Sequence, residues 1–328
     1  MNPVLSISEA EVGQALTVRK STQLARQAYV KRAMERVLEP LRTWFTIPGG
    51  ASFYFMPAHV FGLRTVTVKV VSVKRRYGNR SLSSTSATIY VFDSKTGSPL
   101  ARIEGDNLTA IRTAGSSALA TDFLALKAAD TLGIIGTGKQ AQAHVAAILD
   151  VRNVSRVLVY SRSKAHRAAF VRSISKSTSV PVSAATIVEE VARNSDLLVL
   201  ATSSPVPLFK GGSVSRGAHV NAIGAALPSS REMDTALVKR SVLIVDSVEQ
   251  ALATYGDIMI PLRERAITKA HIMAELGELL LDPSIIRRGK NDITIFKAGG
   301  LAVLDAIFAD YLVSQLQLFL DNSTPSRV

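Results

Sequence analysis

Two kinds of apolar pattern divide this chain. From about residue 131 onward, short uninterrupted apolar runs recur at 132–135, 156–160, 196–202, 219–224 and 241–246. Runs of that kind suit strands buried on both faces. Helical stretches lie between most of them, so the pattern predicts a doubly wound parallel sheet with helices on both sides. Before residue 131 the pattern changes. Residues 53–56, 65–73 and 88–92 read as strands, and the turn chemistry of 93–99 leads the last of these into a hairpin. Ser8, with Glu11 three positions on, reads as a capping box opening a helix through Leu16. A second helix runs across Leu24, Ala28 and Met34 and ends before Pro40, and a long segment rich in Ala, Ser and Thr, 108–129, reads as a third. The last helix, 301–320, carries Leu304, Phe308, Leu312, Leu316 and Phe319 at helical spacing, which marks them as core or interface.

The first apolar run ends in Gly136-Thr137-Gly138, and a helix-forming stretch, Lys139-Gln140-Ala141, follows. Strand, turn and helix in that order are what a dinucleotide site needs. Gly136 permits the tight turn, Gly138 has no side chain to hold the backbone away from a pyrophosphate, and Ala141 lets helix and strand pack closely. The helix N-terminus then presents N–H groups to the phosphates. The next run ends in Ser161-Arg162-Ser163-Lys164, where NAD sites usually carry an acid for the ribose 2′-hydroxyl. Two cations, two hydroxyls and no carboxylate suit a 2′-phosphate, so NADP(H) is expected in preference to NAD(H). The alternative is that Arg162 and Lys164 are solvated loop charges.

Composition narrows the function classes. A chain of 328 residues has room for two domains, and 47% hydrophobic residues are enough for a packed core. There is no cysteine, which excludes disulfides, thiolate metal sites and cysteine nucleophiles. The first residues have neither the basic region nor the apolar core of a secretory signal, and no apolar run is long enough to span a bilayer, so a soluble cytoplasmic protein without a membrane partner is expected. The net charge is +13, but Lys and Arg are spread along the chain. The short basic clusters at 74–76 and 287–290 lack aromatic platforms, so no nucleic-acid partner is expected. The five histidines give no pair at metal-ligand spacing, and no G-x-S-x-G elbow is present, so neither metal nor acyl chemistry is inferred. His144, on the helix after the glycine turn, is read as structural.

Two cations stand out. In TVTVKVVSV, Val66, Val68 and Val70 share one face and Thr67, Lys69 and Val71 the other. Lys69 is therefore either on a solvated face or aimed into a pocket, and composition alone favours the solvated face. Arg112 lies among small residues in LTAIRTAGSSALA, which leaves a long guanidinium free to clamp a carboxylate. On its own sequence context, an exposed helical arginine is the simpler reading.

Taken together, the chain from about residue 6 to 320 resembles the ornithine cyclodeaminase/mu-crystallin family. The resemblance rests on several motifs in order: the Met56-Pro57 pair, Lys69 in its strand, FDSKTGSPLARIEG, LTAIRTAGSSALA, LGIIGTGKQAQAH, HVNAIG, SREMD, IVDSVEQAL, AELGELL and TIFKAGGLAVLDA. It implies an α/β fold in which a Rossmann-type doubly wound parallel sheet (126–300) is inserted into an α+β substrate-binding and dimerisation domain (1–125), with a C-terminal helix (301–328) returning to that domain. It also implies a homodimer. Members reduce or oxidise at a carbon bearing both nitrogen and a carboxylate. By the resemblance, Arg112 and Arg42 would hold the carboxylate of a small imino or amino acid, Met56 would line its site, and Lys69 would be the catalytic proton donor or acceptor. The cofactor would meet Thr113, Gly136, Thr137, Gly138, Lys139, Gln140, Ser161, Arg162, Ser163, Lys164, Thr202, Ser203, Ser204, Ile223, Gly224 and Gly300.

Two departures from the family pattern bear on the reaction. Cyclodeaminases and related alanine dehydrogenases place an aspartate two positions after the glycine that Gly224 matches, and this chain has Ala226 there. Ala298 stands where many members carry serine. An alanine at 226 moves no proton and activates no water, which argues against deamination and leaves hydride delivery to a preformed imine. The expected activity is NAD(P)H-dependent reduction of a cyclic ketimine such as pyrroline-2-carboxylate. The alternatives are ornithine cyclodeaminase or alanine dehydrogenase activity, or a non-catalytic NADPH- and ligand-binding protein of mu-crystallin type.

Overall fold

The two apolar patterns become two sheets in the computed structural model, which describes residues 4–74, 84–286 and 289–323. Arg75, Arg76, Arg287 and Arg288 of the two basic clusters lie outside the described residues. The chain divides into two compact units, one of Met1–Arg112 with Leu301–Val328 and one of Thr113–Gly300.

The first unit is built on one mostly antiparallel sheet. Its strands are β1 (Leu5–Ile7), β2 (Val37–Leu38), β3 (Thr43–Thr46), β4 (Ala51–Val60), β5 (Thr65–Lys74), β6 (Ser84–Asp93) and β7 (Pro99–Glu104), in the order β1-β7-β6-β5-β4-β2, with β3 beside β4. The expected capping box is present: Ser8 accepts from the Glu11 N–H and caps helix α1 (Glu9–Ala15). Helix α2 (Val18–Ala33) follows, and the C-terminal helix (Ala302–Ser323) packs against it and against β4, β5 and β6. Leu304, Phe308 and Leu312 are buried as expected, Leu316 is half-buried, and the Phe319 side chain lies outside the described residues.

One face of β5 is reversed from the composition-based reading. Thr65, Thr67 and Lys69 are buried, whereas Val66, Val68 and Val70 are only half-buried. The reason is the C-terminal helix, which offers carboxylates to the polar side of the strand: the Thr65 hydroxyl donates to Asp310 at 2.8 Å, and Lys69 pairs with Asp305. A polar face with charged partners is buried at lower cost than one without them.

Helix α3 (Gly105–Leu124) begins three residues before the expected start and ends earlier than residue 129. The division between the compact units falls inside it, at Arg112/Thr113, rather than at residue 125.

The second unit has a wholly parallel sheet. Its strands are β8 (Thr131–Ile135), β9 (Arg156–Tyr160), β10 (Val182–Ala184), β11 (Leu197–Leu200), β12 (His219–Ala222), β13 (Ser241–Val245), β14 (Ile272–Glu275) and β15 (Ile293–Lys297). The order is β10-β9-β8-β11-β12-β15-β13-β14. Strand order therefore reverses between β8 and β11, the place where a doubly wound sheet opens a ligand crevice beyond its strand ends. β8, β11 and β12 are buried at every residue, which is why their runs are continuously apolar. β15 is just as buried and lies between β12 and β13, although the spacing of the apolar runs did not single it out. Helices α4 (Lys139–Val151), α5 (Lys164–Ile174), α6 (Val188–Arg193), α7 (Thr235–Lys239), α8 (Val248–Thr254), α9 (Gly256–Arg263) and α10 (Leu276–Leu281) connect the strands. Among the described residues, no helix is long and apolar enough to cross a membrane, and no group of His, Asp and Glu is placed to hold a metal ion.

Candidate active site

In the first unit, three charged side chains meet in the interior. Lys69 leaves β5, Arg112 leaves α3 and Asp305 leaves the first turn of the C-terminal helix; all three are almost wholly buried. Lys69 Nζ lies 2.6 Å from one carboxylate oxygen of Asp305, and Arg112 Nε donates to the other at 3.3 Å. Met56 stands directly across from Lys69 in the β4–β5 ladder, and Ile89 does so in the β5–β6 ladder; both are buried. The lysine is thus walled by apolar side chains. Burial, reinforced by the Arg112 charge, pushes the Lys69 ammonium down to about 8, while Asp305 opposes the shift and Arg42 adds to it. Arg42, half-buried just before β3, contributes its charge to the same cluster.

This arrangement has a definite chemical capacity. Lys69 and Arg112 share one internal carboxylate and the Arg42 charge acts on Lys69, so the cluster holds an excess of positive charge suited to a second, external carboxylate. A lysine whose ammonium titrates near neutrality both gives and takes a proton. Reading the sequence brought Lys69, Arg112, Arg42 and Met56 forward but missed Asp305. The available signal was an aspartate flanked by apolar residues on a helix otherwise patterned for burial.

In the second unit the glycine turn has the form the sequence predicts. Gly136 has φ +117°, and a Cβ there would run into the carbonyl oxygen of Ala201. Its N–H donates to the Tyr160 carbonyl at 2.9 Å, tying the turn to the end of β9. Gly138 caps α4 without a side-chain hydrogen bond, and a Cβ added to it would meet nothing within 4 Å. The first N–H groups of α4 thus keep an open approach, with Thr137 half-buried, Lys139 exposed and Gln140 half-buried around it. These residues fit a dinucleotide pyrophosphate. The pairing of Ile135 with Tyr160 brings this turn beside the start of 161–164. There Arg162 and Lys164 are exposed, while both hydroxyls have local work. Ser161 donates to the Ser163 carbonyl at 3.3 Å, and Ser163 caps α5 by accepting from the His166 N–H at 3.2 Å. Arg167, which the sequence reading passed over, donates to the Ser161 carbonyl and lies over the Tyr160 ring.

The remaining expected residues, Thr113 on α3 apart, lie just after the ends of β11, β12 and β15. Thr202 and Gly224 are drawn together by one buried carboxylate, Glu232, which sequence reasoning did not single out. Ser204 makes local hydrogen bonds after Thr202, and Ser203, exposed, and Ile223, half-buried, adjoin these ends. Gly300 has φ +85°, and its N–H donates to Asp246 at 2.9 Å, as does that of Gly299 at 3.0 Å. Thr113 is buried on α3. Ala226 is half-buried and follows the clamped residues without any acid of its own.

The family model for the ornithine cyclodeaminase/mu-crystallin family matches residues 4–317. The chain belongs to this family. Among its relatives, the Delta(1)-pyrroline-2-carboxylate reductase of Bacillus cereus is 33% identical over 311 residues, 94% of this chain and 95% of that protein. The ketimine reductase mu-crystallin of Rattus norvegicus is 34% identical over 274 residues, covering 83% of each. Among solved structures of the family, the Thermococcus litoralis Delta(1)-pyrroline-2-carboxylate reductase in complex with NADH and L-proline superposes with a TM-score of 0.92. It is 33% identical and covers 96% of this chain and 98% of that one.

Proposed function

We propose that this chain is an NAD(P)H-dependent reductase of small cyclic ketimines that carry a carboxylate beside the C=N bond, of which pyrroline-2-carboxylate is the type. The observation that carries this reading is the buried Lys69–Asp305–Arg112 cluster, in a family whose similar members are pyrroline-2-carboxylate and ketimine reductases. When bound, the reduced nicotinamide supplies a hydride to the imine carbon. Gly136, Gly138 and the N-terminus of α4 hold the pyrophosphate. Arg112 and Arg42 hold the substrate carboxylate, and Met56 packs against the ring. Lys69 gives its proton to the imine nitrogen as the carbon is reduced, and its amine then takes a proton from solvent. Asp305 keeps Lys69 and Arg112 turned toward the same point and helps keep the lysine charged. The alanine at 226 supports reduction over cyclodeamination, since no aspartate stands two positions after Gly224 to handle water.

The finer cofactor preference is for NADPH. It rests on exposed Arg162 and Lys164 and on the missing carboxylate at the end of β9. The assembly is a homodimer, supported by the exposed aromatic strand β3, which carries Trp44 and Phe45 more than half or half exposed at 55% and 50%. The test is steady-state reduction of pyrroline-2-carboxylate with NADPH and with NADH by wild type and by Arg112→Ala. Loss of a charge-assisted carboxylate contact is expected to raise the imine KM by about tenfold or more. NADPH is expected to give the larger kcat/KM. An Arg112→Ala enzyme with the wild-type KM would remove the role given to that arginine.

A further inference from the structure

Glu232 has no part in the reaction as written, yet it is fully buried and accepts from four donors. One oxygen accepts from the Thr202 N–H and from the Thr202 hydroxyl, each at 2.7 Å. The other accepts from the N–H groups of Gly224 at 2.8 Å and Ala225 at 3.2 Å. Thr202 follows β11 and Gly224 follows β12, so one side chain joins the outgoing ends of two neighbouring strands. The joint is tight: a Cβ on Gly224 would run into the Thr202 carbonyl and the Glu232 carboxylate. Glu232 is itself held, because Asp257 accepts from the N–H groups of Glu232 and Met233 at 2.8 and 2.9 Å. Lys297 pairs with Asp257 at 2.9 Å and donates to the Ala225 carbonyl. Residue 225 thus has its N–H fixed by a carboxylate and its C=O by an ammonium.

β11 borders the place where strand order reverses and β12 is its neighbour, and a doubly wound fold takes its ligand beyond the outgoing strand ends there. We propose that Glu232 is a positioning residue for the nicotinamide half of the cofactor, locking the ends of β11 and β12 into one rigid support. The proposal deepens the functional reading above and rests on it. All four contacts are to donors, so the support needs an ionised carboxylate with two acceptor oxygens. Burial, with the Asp257 carboxylate beside it, pushes the Glu232 pKa above the usual carboxylate value, while Lys297 and the hydrogen bonds from Thr202 oppose that rise. Glu232→Gln keeps the shape but replaces one acceptor with an NH2 group. The amide then faces either the Gly224 and Ala225 N–H groups or the Thr202 N–H, and one strand end is released. Glu232→Asp keeps the charge but is too short to reach both ends.

The experiment compares wild type, Glu232→Gln and Glu232→Asp by amide exchange in cofactor-free protein, by NADPH titration and by steady-state kinetics. Faster exchange at Thr202, Gly224 and Ala225 is expected in Glu232→Gln, with an NADPH Kd raised about tenfold, kcat lowered about tenfold to hundredfold and the imine KM within about threefold of wild type. Glu232→Asp should recover part of the lost kcat. If wild type binds NADPH but Glu232→Gln matches it in Kd and kcat while only melting earlier, the positioning role is overturned and the functional reading stands. If wild type binds neither NADPH nor NADH, the functional reading falls, and this inference with it.

Discussion

Lys69 is where residue-level reading of the sequence was weakest and where the structure adds most. A lysine between valines and threonines has no visible partner within its own strand, so its composition points to water. The partner is Asp305, on a helix at the other end of the chain; the same carboxylate reaches Arg112 across a separation of 193 residues. No local pattern encodes such a contact. Its consequence is testable through the proton. With its ammonium pushed down to about 8, Lys69 is charged below that pH and neutral above it. Imine reduction needs the charged form, so kcat/KM should fall as pH rises through about 8, and oxidation of the cyclic amino acid should rise over the same range. Asp305 is one of the influences holding the proton on Lys69. Asp305→Asn removes it and should move the descending limb to lower pH. The substrate's own titration is common to both enzymes, so the difference between the profiles reports Lys69. An unmoved limb would separate Asp305 from the proton transfer. The variant leaves two buried cations short of a partner, and a stability loss of about 3–5 kcal/mol is expected, so the profiles belong well below its melting temperature.

Elements were legible where burial on both faces leaves a continuous apolar run, as in β8, β11 and β12, and where glycine is required by conformation, as at Gly136. They were less legible where charge goes inside. β15 ends in Lys297, fully buried and paired with Asp257, and neither residue was singled out in the sequence. Helix α4 illustrates the opposite case, a titratable residue correctly read as structural. One ring nitrogen of His144 is 2.7 Å from the Gln140 carbonyl, and the other is 2.9 Å from the Ser117 hydroxyl. Neutral imidazole serves both, with the ring N–H donating to the carbonyl and the hydroxyl donating to the ring. Burial pushes the His144 pKa down to about 4, only partly opposed by the carbonyl. The folded value lies below the unfolded one, so the contribution is fully present above about pH 6.5 and is lost as pH falls toward 4. Between pH 7 and pH 5 this one group should cost about 2 kcal/mol of stability. Urea unfolding at the two pH values checks it: His144→Gln should lose less on acidification than wild type by about that amount. Equal losses would mean that the imidazole is protonated in the folded state.

At the scale of the whole molecule, exposed apolar side chains are densest in one place. Met34, Leu38, Leu41, Trp44, Phe45 and Ile47 are all exposed within one short stretch of the first unit. β3 is exposed at every residue and, among the described residues, pairs with β4 alone, so it presents an edge. Its two faces are both aromatic: Phe45 packs beside Phe53 and Phe55, and Trp44 beside Tyr54. An edge strand of this kind, left in water, invites association, and the net charge of +13 keeps unspecific contacts between copies unfavourable. A specific, self-complementary contact then has to overcome that repulsion with buried aromatic area, which makes the proposed homodimer sensitive to both charge and salt. Replacing Trp44 and Phe45 together by lysine removes the aromatic area and adds charge at the same place. The rings are surface features, so the fold should lose only about 1–3 kcal/mol from their pairings with Tyr54, Phe53 and Phe55. Sedimentation of wild type should give twice the chain mass, and the double variant the chain mass itself, with an unchanged far-ultraviolet spectrum. A double variant that stays dimeric would show that the interface lies elsewhere, and a monomeric wild type would leave β3 as an edge that this protein tolerates in water.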